Sequence, residues 1–207
     1  NEKDPFENEY TTLLPSFILS KKIDMMRSLK ASYSKRIYRP GMRYINPNVS
    51  YTDTLTLTEG NPQLKPEITH QLEIGYNSFA GKYKGSYYIF AKQTYDLIES
   101  NVRLSGNNSI TSYQNIGENL SVGFNYYGSM KVGDANLRAG FNLYTYQTTS
   151  DDLGRVLFNW NMGGNFDMGK GYKAETFGFF RPPNQTAQGY VPGFSMFSFG
   201  FKKDFNN

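Results

Sequence analysis

A chain of 207 residues has room for one sizeable core, and the lack of any cysteine excludes a disulfide framework and thiolate metal sites. With 17 Tyr and 16 Phe at a mean hydropathy of -0.59, aromatic rings are combined with overall polarity, which suits a transmembrane barrel with a polar lumen and equally a secreted β-sandwich. The net charge of +4 is scattered along the chain, so the basic residues read as solvated turns and lumen, and no nucleic-acid partner is expected.

No run of about 18 apolar residues exists, which excludes a transmembrane helix and leaves transmembrane strands open. The opening NEKDPFENEY has neither the basic start nor the apolar stretch of a secretion signal, so the chain is expected to be processed or an excerpt. Residues 10–20 read as a first strand with Pro15 as a defect, ending at KKID. In residues 25–38, Leu29, Ala31, Tyr33 and Ile37 oppose Ser28, Lys30, Ser32, Ser34 and Arg36. Lys35 falls on the apolar side and is expected near a membrane interface.

Residues 39–66 form a long connection punctuated by Pro40, Gly41, Pro47, Gly60, Pro62 and Pro66. Alternation resumes over 68–77, with His70, Leu72, Ile74 and Tyr76 on one side, and after a turn around Gly81 and Lys82 continues over 83–99, where Glu99 alone breaks the pattern. A polar loop is expected from 100 to about 112. A fifth strand sets Leu120, Val122, Phe124 and Tyr126 against Ser121, Gly123, Asn125 and Tyr127, and turns at VGDA. The sixth spans 137–147, and SDDLGR, residues 150–155, is read as the next connection.

In RVLFNWNMGGNFDM, residues 155–168, Val156, Phe158, Trp160, Met162, Phe166 and Met168 share one parity, while Asn159, Asn161, Gly163, Asn165 and Asp167 take the other. Strand side chains point alternately to opposite faces, so this segment is greasy on one side and wet on the other, and long enough for the roughly 9–11 tilted residues of a membrane-crossing strand. GKG turns the chain into an eighth strand. A loop over 182–193 leads to a ninth strand with Phe197, Phe199, Phe201 and Phe205 aligned.

Strands recur without helix-period segments between them, so the fold class is all-β: an antiparallel up-and-down meander of about nine long strands. Short and long connections tend to alternate, as in bacterial outer-membrane barrels, although alternation alone leaves a soluble sandwich open.

The stretches YSKRIYRPGMRYINPNVSY and EGNPQLKPEITHQLEIGY resemble the signature region of TonB-dependent outer-membrane receptors of the Bacteroidota-type outer-membrane β-barrel family. Arg39, Pro40, Asn46, Pro47, Gly60, Asn61, Pro62, Leu64, Lys65, Pro66, Glu67, Glu73, Gly75 and Tyr76 carry the resemblance. It implies a barrel of about 22 strands, plugged by an amino-terminal domain, in the outer membrane of a Gram-negative bacterium, importing a bulky nutrient of siderophore, glycan or peptide class with energy from TonB. About nine strands and no plug depart from that pattern. The whole chain, 1–207, is therefore expected to be one segment of the carboxy-terminal part of a transmembrane β-barrel, with 39–66 as a long outer loop. Its expected partners are outer-membrane lipid, the remainder of the barrel and the plug, and the TonB system through that plug. A small self-closing porin or adhesin barrel and a secreted glycan-binding sandwich are the alternatives.

No enzyme and no cofactor are expected, because no nucleophile elbow, phosphate loop or zinc pattern occurs. His70, the single histidine, reads as interfacial or packed. Asp151 and Asp152 lack the spacing of a calcium loop, and Glu67 and Glu73 are expected to bond backbone or arginine. The motif residues Arg39, Pro40, Gly60, Asn61, Pro62, Leu64, Pro66 and Glu67 are expected to deliver the long loop into its strand in a fixed pose. Lumen-parity Tyr127, Arg138, Tyr144 and Tyr146 are the candidates for ligand contact, with lumen filling or grip on a plug as the competing role.

Overall fold

The computed structural model describes residues 11–51, 53–149, 151–185 and 190–205. Strands β1 (Ser16–Lys22) and β2 (Arg27–Tyr38) pair as a hairpin. The connection that follows holds one helical turn, α1 (Met42–Ile45), and two short strands, β3 (Ser50–Tyr51) and β4 (Thr56–Thr58). Next come β5 (Glu67–Ala80) and β6 (Tyr83–Tyr95), then β7 (Ile98–Ser105), β8 (Asn108–Asn115) and β9 (Asn119–Val132). The chain continues through β10 (Ala135–Thr148), β11 (Asp151–Asp167) and β12 (Tyr172–Arg181), and ends with β13 (Asn184–Gln185), β14 (Tyr190–Val191) and β15 (Phe194–Lys203).

Nine of these form one sheet in the order β1-β2-β5-β6-β9-β10-β11-β12-β15, each antiparallel to the next. The up-and-down meander read from the alternation is therefore present. A separate sheet, β3-β4-β8-β7, gathers the connections 39–66 and 96–118 and contains one parallel pairing, β4 with β8.

Several expected boundaries move. Pro15, expected inside the first strand, precedes it, and Lys21 and Lys22 belong to β1. The run 83–99, expected as one strand, is broken at Asp96, whose φ is +54, so Glu99 sits on β7 and does not break the parity of β6. The polar stretch 100–112, expected as a loop, is largely the β7–β8 hairpin, turned at Gly106 with φ +61. Of SDDLGR, expected as a connection, Ser150 lies outside the described residues and 151–155 are the backbone start of β11, with a register shift between Tyr146 and Thr148 and Gly154 at φ +43. Polarity drove both loop readings, and pairing against a neighbouring strand satisfies the same backbone groups whatever the side chains.

The sheet has two unlike faces. On β11, Val156 is 66% and Met162 52% exposed, whereas Leu157 on the opposite parity is 8% exposed and Asn159 and Asn161 are half-buried. Leu19, Ile74, Ile89, Phe197 and Phe199 are likewise exposed on the apolar parity. Across the middle of the sheet runs a row of direct cross-strand partners, Tyr76, Tyr87, Tyr126, Phe141, Trp160 and Phe180. Rings meet toward both ends of the row: Tyr87 and Tyr126 have centroids 5.2 Å apart, and Trp160 and Phe180 6.0 Å apart.

A soluble sandwich would cover that apolar face with a second sheet. Among the described residues nothing covers it, and the buried apolar side chains are only Leu64, Pro66, Tyr113 and Leu157. So large a greasy surface has no stable counterpart in water and is the side a lipid bilayer would wet. The polar face is the sheltered one.

Candidate functional site

The motif at the start of β5 makes a clamp between the two long connections. Pro62 and Pro66 fix their own φ and restrict the residue before each, which holds 61–66 in one path. Along it the Gly60 amide donates to the Asn46 carbonyl at 2.9 Å and the Asn61 amide to the Tyr44 carbonyl at 2.6 Å. Gly60 lies so close to the Asn46 backbone that no Cβ fits there.

Asn61 then bonds in two directions, accepting from the Gln63 amide at 2.9 Å and donating to the Tyr113 carbonyl at 2.9 Å. Asn115 answers from the other connection: its side chain accepts from the Lys65 amide at 2.8 Å and donates to the carbonyls of Lys65 and Asp96. The Glu67 carboxylate accepts the Ile98 amide at 2.8 Å. Leu64, 1% exposed, and buried Pro66 fill the centre, and Tyr44 meets Tyr113 edge-on at 4.7 Å. Six of the motif residues thus converge. Arg39 and Pro40 stand at the exit from β2, with Arg39 exposed.

Tyr44, Tyr113 and Asn115 were not legible as partners of the motif. For Tyr113 and Asn115, separations of about 50 residues carry no periodic signal, and Tyr44 reaches the motif from the helical turn α1 within the same connection.

The sheltered face carries the other candidates. By register Tyr127 lies opposite Ser86 and Gly140, Arg138 opposite Ser129 and Gly163, Tyr144 opposite Gly123 and Leu157, and Tyr146 opposite Arg155. All four belong to that face. Tyr127 and Arg138 are exposed on it, Tyr144 and Tyr146 half-buried. Glycines beside them leave room for large side chains to lie flat: a Cβ on Gly123 would stand 2.7 Å from the ring of Phe90, and one on Gly163 3.0 Å from Arg138 Nε.

Between the tyrosines, Asn125, Asn142 and Asn159 form a cross-strand ladder on β9, β10 and β11. Asn142 Oδ1 is buried there without a hydrogen-bond partner among the described residues. Sequence reading placed asparagines on this face as a class, but not in one row.

Neither ionisable constellation supports acid–base chemistry. Glu67 and Glu73 share the sheltered face but lie about 20 Å apart along β5 at the usual strand rise, and Glu67 is engaged with backbone. No cluster among the described residues has a metal-ligand set; the side chains of Asp151 and Asp152 lie outside those described. His70 sits on the apolar face, its Nδ1 2.8 Å from the Tyr33 hydroxyl and its ring edge-on to Tyr95 at 5.8 Å. Amides, phenols and a guanidinium along a sheltered wall can bind and position.

Similarity to known proteins agrees with this architecture. The structure resembles the siderophore receptor PirA from Pseudomonas aeruginosa at TM-score 0.73 and 13% identity, over 93% of this chain and 36% of that one. It resembles the copper transporter OprC at TM-score 0.65 and 19% identity, over 90% of this chain and 31% of that one. The ferric enterobactin receptor PfeA from Pseudomonas aeruginosa matches at TM-score 0.64 and 15% identity, over 93% and 33% of the two chains. The chain therefore spans about a third of the length of the receptors it matches, and at these identities the likeness is one of fold. No curated protein sequence matches it. The model of the outer membrane protein beta-barrel family matches residues 1–207, as the motif resemblance implied. The exposed apolar face is accordingly the lipid side and the sheltered face the lumen side of a barrel wall, and the chain belongs to the outer membrane protein beta-barrel family, at home in the outer membrane of a Gram-negative bacterium.

Proposed function

We propose that this sheet is part of the barrel of a TonB-dependent receptor that imports a bulky nutrient. The observation that carries the reading is the pairing of an exposed apolar face with a sheltered face of Asn, Tyr and Arg, in a fold shared with siderophore and metal receptors. Strands β1 and β15 are each paired on one side only within the nine-stranded sheet. Lipid does not tolerate open edges, so the barrel closes through further strands, and its lumen holds a plug through which TonB acts. The clamp of Gly60 to Glu67 sets the outer connections in place over the lumen, and Tyr127, Arg138, Tyr144 and Tyr146 line the wall that cargo or plug faces.

The test uses the full-length protein in an outer membrane. Uptake of ferric siderophores, oligosaccharides and peptides is followed with and without a protonophore. Energised uptake of one class, abolished by the protonophore, is the expected result. A leak of small solutes that survives the protonophore would make the protein a passive porin.

A further inference from the structure

The clamp has an open side. Between residues 59–63 and the β7–β8 hairpin lies a cavity of about 530 Å³, lined by Glu59, Pro62, Gln63, Arg103, Ser112 and Gln114, within the range of about 300–1,000 Å³ usual for small-ligand sites. Register orients it. Glu99 pairs with Gln114, Asn101 with Ser112 and Arg103 with Ile110, so these side chains share one face of the outer sheet. Glu99, at the end of that face nearest the barrel, acts electrostatically on Tyr146 of the lumen wall. The cavity therefore overhangs the mouth of the lumen.

Its chemistry is mixed in sign and rich in amides. Arg103 Nη2 stands 3.2 Å from a Glu59 carboxylate oxygen, and the two side chains are 61% and 38% exposed. An ion pair so wetted contributes little, so a ligand carrying both charges can take over each half and leave neither Arg103 nor Glu59 unpaired. Gln63 and Gln114 stand exposed on the two walls. Each of their amides offers two donors and an acceptor, the complement of the carbonyl and N–H of a peptide unit.

The other cargo classes fit less well. A polyanionic ferric catecholate that claimed Arg103 would be repelled by Glu59 beside it. The apolar face of a sugar packs on an exposed aromatic ring, and Tyr113, the one aromatic residue among those lining the cavity, is only 9% exposed. We infer that this cavity binds a short peptide with free termini, its carboxylate on Arg103, its ammonium on Glu59 and its amides on Gln63 and Gln114. As the naming of a cargo class the inference rests on the importer reading, while the binding site stands without it.

The test measures binding apart from transport. Full-length protein in nanodiscs, with no energy source, is incubated with a mixture of tripeptides, and retained peptide is counted by native mass spectrometry. Retention several-fold above that of the same mixture after N-acetylation, and above that after C-amidation, is expected. Arg103→Gln should erase the preference for a free carboxylate and keep that for a free ammonium, and Glu59→Gln should do the reverse. Arg103→Lys should preserve the carboxylate preference, which separates charge from a local change of shape. Equal retention of free and capped peptides, an unchanged carboxylate preference in Arg103→Gln, or stronger retention of maltotriose or a ferric catecholate would each overturn the assignment. Energised uptake judges the importer separately: peptides bound but never taken up would leave the site and remove the importer, and uptake of another class without peptide retention would do the opposite.

Discussion

The side-chain amide of Asn61 donates to the backbone carbonyl of Tyr113 at 2.9 Å, joining two connections that leave the sheet from different hairpins. The same side chain accepts from the Gln63 amide, so Asn61 fixes its own turn and its neighbour with one group. Replacing it with Ala leaves a carbonyl and an amide without these partners, at about 1–3 kcal/mol for a group left unsatisfied. Asn61→Asp keeps the acceptor and loses the donor. Hydrogen exchange in the full-length protein should show 57–66 and 108–115 both opening in Asn61→Ala. In Asn61→Asp the Gln63 amide should stay protected; equal loss in both variants would separate the turn from the clamp.

Gly60→Ala tests close approach, since its Cβ would overlap backbone of Asn46, which cannot rotate away as a side chain would. Displacing it also strains the bonds from Gly60 to Asn46 and from Asn61 to Tyr44. Leu64→Ala removes the most deeply buried large side chain and should cost about 2–5 kcal/mol. Limited proteolysis of the assembled protein should cut within 42–66 faster in both variants, without dissociating the barrel. Unchanged cleavage in Gly60→Ala would mean that the Asn46 segment gives way freely.

The nine long strands were legible because period-two alternation is a local property: Phe158, Trp160 and Met162 against Asn159 and Asn161 declare two faces within a few residues. The glycine and proline of the clamp were legible as punctuation for the same reason. What joins them was not. Asn115 and Tyr113 reach the motif only through the register of β8 against β4, and the Asn125, Asn142 and Asn159 ladder exists only once β9, β10 and β11 are aligned. Polar composition also hid the β7–β8 hairpin, because pairing with each other satisfies these strands without an apolar stripe. The apolar parity of β2 showed Lys35 as an exception, and register supplied its neighbour His70.

The two faces of β11 give opposite outcomes for one substitution. Met162 is exposed on the lipid side and Asn161, its neighbour, lies on the lumen side. Met162→Arg should cost about 2–4 kcal/mol if the residue lies near the bilayer midplane, whereas Asn161→Arg should cost far less. Folding of the full-length protein into vesicles across a denaturant series measures both. A greater loss from Asn161→Arg would reverse the assignment of the faces.

Asp204 predicts an acid-sensitive staple at the short-turn end of the wall. Its carboxylate meets Lys202 Nζ at 2.7 Å and Lys173 Nζ at 2.9 Å, and its amide donates to the Gly171 carbonyl at 2.8 Å. Hydrogen bonds from Lys202, then Lys173, hold its pKa at about 2, below the ordinary 3.8. A carboxyl whose folded pKa is depressed contributes stability that is fully present above its unfolded value and is lost as the pH falls through the folded value. The window is therefore from about 4 down to about 2. Thermal unfolding of the full-length protein and of Asp204→Asn should differ at neutral pH and converge across that window. The difference should shrink in high salt, because the three side chains are partly exposed and their attraction is screened. A carboxyl titration of Asp204 centred near its ordinary value would remove the two lysines from the account, and an unchanged gap between the proteins at pH 2 would show that the gap does not come from the ionised carboxylate, since the backbone bond to Gly171 is common to both.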